Sequence, residues 1–92
     1  MPKYYPYKIF GYYLYYTEHC IIEAMHVHAS NKKLSERMAA KFFVKSDGST
    51  IVKSEGSLKK HEITKIQKFI KEHYIEMYKI WSEDSPNGFY QK

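Results

Sequence analysis

The segment Phe42-Phe43-Val44-Lys45-Ser46-Asp47-Gly48-Ser49-Thr50-Ile51-Val52 decides the fold of this chain. Two short runs of aromatic and β-branched residues flank Asp-Gly, a pair that tolerates the positive φ of a tight hairpin turn. The two runs are therefore expected to be antiparallel neighbours. Going backward, residues 37–45 alternate, with Met38, Ala40, Phe42 and Val44 on one face and Ala39, Lys41, Phe43 and Lys45 on the other.

Further upstream, residues 25–30 read as a short strand after a connection at 18–24, and residues 31–35 as a polar turn. Residues 9–17 are rich in β-branched and aromatic types and read as a strand bent at Gly11. Tyr12, Leu14 and Tyr16 would face one side of it, Tyr13 and Tyr15 the other. Downstream, Ser57 is the expected N-cap of a helix with Glu62 near its positive end. Ile63, Ile66, Ile70, His73, Met77 and Trp81 recur at helical spacing, with Phe69, Tyr74 and Ile80 widening the stripe. That predicts an amphipathic helix of about 25 residues. Lys65, Lys68, Lys71, Lys79, Glu72 and Glu76 form its solvated face. Ser85-Pro86-Asn87-Gly88 ends it, leaving 84–92 as a loosely held tail. The whole reads as one α+β domain over 1–92: a small, mainly antiparallel sheet of about four strands under one long C-terminal helix.

Composition narrows the class. At 92 residues and 43% hydrophobic content there is enough apolar surface for one core. Ten tyrosines make that surface amphipathic. A formal charge of +5 attracts an acidic protein or a nucleic acid. A single cysteine, Cys20, excludes an internal disulfide, and reads as a small buried hydrophobe in a reducing compartment rather than as a nucleophile. Lys8 and the tyrosines around it interrupt any signal-peptide core, and no run has the roughly 20 apolar residues of a membrane span. The expectation is a cytoplasmic protein with no membrane partner.

His26-Val27-His28 is the motif with the most chemistry in it. In a strand, residues two apart share a face about 7 Å apart, so two imidazoles stand side by side. His19 and His73 are candidates to join them, which would make a set for Zn2+ or a similar divalent ion with a position left for water. No His-Glu-x-x-His or Cys-x-x-Cys pattern accompanies it. The alternative makes His73 a core histidine with a hydrogen-bonded ring. His26 or His28 is also a candidate general acid or base for RNA cleavage. Separately, Phe43 between Lys41 and Lys45, with Tyr13 and Tyr15, would form a stacking platform with phosphate contacts if that sheet face is open. The competing use of these rings is packing.

Several of these residues also carry a resemblance. The Met-Pro start, Gly11-Tyr12-Tyr13-Leu14-Tyr15-Tyr16, Glu18-His19, His26-Val27-His28-Ala29, Lys41-Phe42-Phe43-Val44 and the helix from Glu62-Ile63-Thr64-Lys65-Ile66 to Ile80-Trp81 resemble the bacterial domain-of-unknown-function family 4160. The chain departs from it where Cys20-Ile21-Ile22-Glu23-Ala24-Met25 replaces the family's tight Asn-Pro-Pro-like turn. The resemblance implies a small bacterial protein of the toxin–antitoxin or accessory type. It is expected to bind a small acidic protein or RNA through the His-x-His face, with self-association a further option. The alternative is a histidine-dependent, metal-assisted RNA hydrolase.

Overall fold

The computed structural model describes residues 3–17, 22–31 and 39–91. Strands β1 (Tyr13–Tyr15), β2 (His26–Ser30), β3 (Ala40–Val44) and β4 (Thr50–Ser54) form one antiparallel sheet in the order β1-β2-β3-β4. Helix α1 (Lys60–Asp84) follows, giving the expected α+β fold. No helix among the described residues is long and apolar enough to cross a membrane.

The core forms where the helix stripe meets one sheet face. Leu14, Val27, Ala29, Ala40, Phe42 and Val44 pack with Ile63, Ile66, Ile70, Met77 and Trp81. Burying each of the larger side chains contributes roughly 1.5–3 kcal/mol, more than the whole spread of ordinary helix propensities. That is why the apolar period alone located the helix. His73 departs from the stripe: its side chain is 42% exposed and its ring stacks on Phe69.

Turn chemistry differs from expectation in three places. The β3–β4 loop is a three-residue connection in which Lys45 N–H bonds Ser49 O at 2.8 Å and only Gly48 has positive φ, +87°. Asp47 stays outside that conformation, and its carboxylate accepts from the Ser49 N–H and hydroxyl. The helix begins after Lys59 rather than Ser57, since Leu58 turns inward and its N–H bonds Glu55 O. Lysine has no side-chain acceptor, so the cap is one-sided: the Glu62 carboxylate accepts the Lys59 N–H at 2.8 Å.

The third difference is larger. Instead of a bent strand, residues 9–12 reverse the chain. Ile9 N–H bonds Tyr12 O at 2.7 Å, Tyr12 N–H bonds Ile9 O at 3.0 Å, and the two residues between have φ of +51° (Phe10) and +87° (Gly11). Two successive positive φ values across a two-residue loop are the signature of a type I′ hairpin turn. Glycine adopts that conformation freely, whereas Phe10 does so at a cost of roughly 1 kcal/mol. The returning N-terminal segment pairs with β1, through Tyr4 N–H to Leu14 O and a Lys3–Tyr15 bridge.

The expected loose tail is also tied down between residues 87 and 90. Trp81 Nε1–H donates to Asn87 O, Met25 N–H to Gly88 O and Tyr90 N–H to Val44 O, while Phe89 stacks on Tyr78. Proline and glycine correctly ended the helix here, but the aromatics after them have rings to pack on.

Candidate functional site

The His-x-His pair is held by β2, with His26 opposite Phe43 and His28 opposite Lys41 on β3 and Tyr15 on β1. Cross-strand partners share a face, so these residues meet. Ring centroids lie 5.5 Å apart for Tyr15 and His28, 5.1 Å for His28 and His26, and 5.5 Å for His26 and Phe43. Trp81 reaches His26 from the helix at 5.5 Å, and Tyr90 stacks on Phe43 at 4.4 Å.

This face is not an open platform. His26 is 0% exposed, His28 2%, Tyr15 0% and Phe43 9%. Rings of this size gain more by packing edge-to-face on one another than by facing water. Lys41 remains at the rim, its Nζ 3.0 Å from Glu23 Oε1 and 5.0 Å over Phe43. Lys45 is half-buried and bridges to Tyr90. Tyr13 is half-buried, under the ammonium groups of Lys3 and Lys8.

Burial determines the chemistry of His26. Removed from water, with Lys41 and His28 beside it, the ring has its pKa pushed down to about 4, although its bond to Ala24 opposes the shift. The neutral ring donates Nδ1–H to Ala24 O at 2.9 Å, which leaves the lone pair on Nε2. Among the described residues nothing hydrogen-bonds that Nε2. A buried imidazole with a pKa near 4 is poorly matched to proton transfer at neutral pH.

Of the four candidate histidines, the described residues bring together His26 and His28. His19 lies outside the described residues, as does Cys20. His73 has its Nδ1 3.7 Å from Glu76 Oε2. It is eight residues, about 12 Å of helix, from the Trp81 that touches His26. Among the described residues no group of three or more His, Cys, Asp or Glu side chains could hold a metal ion.

A second surface, absent from the sequence reading, surrounds the Phe10-Gly11 turn. Tyr7 and Phe10 are 59% and 56% exposed. Phe10 meets Phe69 edge-on at 6.4 Å, Tyr5 meets both Tyr7 and Phe69, and Lys65 Nζ stands 5.9 Å from the Phe10 ring centroid. Around the β1 edge, Lys3 and Lys8 lie 4.6 and 5.5 Å from the Tyr13 ring. Tyrosine hydroxyls fasten this layer to α1: Tyr5 to Glu76, Tyr12 to Glu62 and Tyr16 to Asp84. Burial and the carboxylate partner push the Tyr5 and Tyr16 hydroxyls above the ordinary range, so they remain donors. The sequence signal for this surface was an aromatic-glycine pair inside a lysine- and tyrosine-rich stretch. Phe10 is an unusual residue for a positive φ, so the pair does not carry the usual composition of a turn.

No curated protein matches the chain, and no solved structure does. A family model matches residues 10–82, from the exposed turn through β1–β4 to the end of the buried helix stripe. The match spans most of the 92 residues, and the chain belongs to the family described as Domain of unknown function (DUF4160).

Proposed function

We propose that the protein is a binding component that holds RNA on the lysine and aromatic face around its N-terminal turn, in the accessory or toxin–antitoxin-type role that the family resemblance implies. One observation carries this reading: exposed Lys3, Lys8 and Lys65 stand over aromatic rings. The Glu76 and Glu62 carboxylates accept hydrogen bonds from Tyr5 and Tyr12. Cations beside aromatic faces suit a ligand that offers phosphates and bases together. The His-x-His pair is buried, so this reading places the ligand on the exposed lysines and rings instead.

The reading is tested by titrating a labelled, unstructured single-stranded RNA at two salt concentrations, with wild type and with a Lys3→Ala, Lys8→Ala, Lys65→Ala variant. Wild-type affinity should fall with salt. The variant should bind at least tenfold more weakly, with a salt slope shallower by about 2, or roughly 0.7 per lost phosphate contact. Absence of wild-type binding, or affinity indifferent to both salt and the three lysines, refutes RNA as the ligand. Capture of an acidic protein by this face without RNA affinity would replace it.

A further inference from the structure

The structure assigns Phe10 as a stacking post for an unpaired nucleobase, which makes the ligand single-stranded; this rests on the RNA-binding reading above. Its ring is 56% exposed on a backbone with φ of +51°. Glycine or asparagine would occupy that turn position with less strain, and a ring pointing into water recovers little of the cost by burial. An outlier that its own packing does not repay points to a use outside the fold.

The ring is exposed yet positioned. Both hydrogen bonds of the Ile9–Tyr12 pair close the turn beneath it. The Tyr12 hydroxyl bonds Glu62 Oε2 at 2.8 Å and holds that turn against the start of α1. Phe69 meets Phe10 edge-on and is itself backed by His73, stacked at 4.2 Å. One flank of Phe10 is thus occupied while more than half of the residue remains exposed. Tyr7, 59% exposed, shares the Tyr5 and Phe69 neighbourhood and is placed for an adjacent base.

The lysines fit the same ligand. Lys65 lies 5.9 Å from the Phe10 ring centroid, and Lys8, two residues before it, reaches over Tyr13 together with Lys3. A strand whose base lies on Phe10 would bring a phosphate past Lys65, and a strand continuing around the β1 edge would meet Lys3 and Lys8. Paired bases in an A-form duplex are already stacked on each other and offer no free face. The site therefore discriminates against duplex.

The test is the Phe10→Asn variant, assayed for thermal stability and for binding to single-stranded RNA, single-stranded DNA of the same sequence, and duplex RNA. Asparagine suits the turn, so Tm should hold or rise, which separates stacking from a structural role. Affinity for the single-stranded RNA should fall at least about fivefold, the loss of one aromatic–base stack. The salt slope should be unchanged because the lysines remain. Single-stranded DNA should show the same dependence on Phe10, since the stacked group is the base. Duplex should bind wild type more weakly and be indifferent to the substitution. If wild type binds RNA and Phe10→Asn binds equally well, the stacking post is refuted while RNA binding stands. If wild type binds no RNA, both fail.

Discussion

Tyr90 lies stacked on Phe43, with ring centroids 4.4 Å apart and planes 20° from parallel. The contact joins the end of the chain to β3, and the adjacent Tyr90 N–H to Val44 O bond fixes the backbone there at 2.8 Å. Phe43 is buried as a result, in line with His26, His28 and Tyr15. Tyr90→Ala should therefore destabilise the fold by about 2 kcal/mol, from lost burial and lost stacking together. In a chain of this size that lowers Tm on the order of 10 °C. Tyr90→Phe, which keeps the ring, should stay close to wild type, and equal melting of Tyr90→Ala and wild type would show that the last turn of chain carries no weight.

The His26 ring makes stability depend on pH with a definite sign. Its folded pKa of about 4 lies below the ordinary 6.5, so the unfolded chain binds its proton more readily. The stabilisation is complete above pH 6.5 and is lost as pH falls toward 4. Its full size is about 3 kcal/mol, from roughly 1.4 kcal/mol per pH unit. Denaturant melts of wild type and His26→Asn at pH 7 and pH 4.5 measure it: the two proteins should differ less at the lower pH. An identical difference at both values would mean that the ring is already protonated or never buried.

Gly48 and Gly11 share a φ of +87° but differ in surroundings. A Cβ on Gly48 would lie 2.5 Å from Tyr74 Cδ1, whereas one on Gly11 meets nothing within 4 Å. Gly11→Ala should cost only the left-handed backbone, about 1 kcal/mol. Gly48→Ala adds a clash with the half-buried Tyr74 ring and should cost about 2–3 kcal/mol. Tyr74→Ala in the Gly48→Ala background should recover the steric part alone, a non-additivity read from a double-mutant cycle. Strict additivity would place the whole cost in the backbone.

The legible parts of this chain are those whose physics is local. The helix over Lys60–Asp84 and strand β3 follow from the period at which apolar residues recur, and β4 from the Asp-Gly turn that precedes it. That His26 and His28 share one face is legible too, because alternation is a property of the strand itself. What could not be read was whether that face is open. The rings packed along it include Tyr15, Trp81 and Tyr90 from other parts of the chain, and no window around His26 contains them. The turn at Phe10 is not legible for a different reason: the preference for glycine or asparagine at positive φ is broken there by an aromatic.

From the sequence alone come the α+β class, the antiparallel hairpin at Gly48, the long amphipathic helix and the family, because periodicity, turn chemistry and motif spacing are carried by neighbouring residues. Tertiary structure alone decides that the histidine pair is enclosed, that the last aromatics are pinned, and that tyrosine hydroxyls fasten the N-terminal layer to the helix. Tyr5 and Glu76 stand 71 residues apart and Tyr12 and Glu62 stand 50 apart, yet each pair shares a hydrogen bond. Such contacts depend on how whole elements pack, which local preference does not encode.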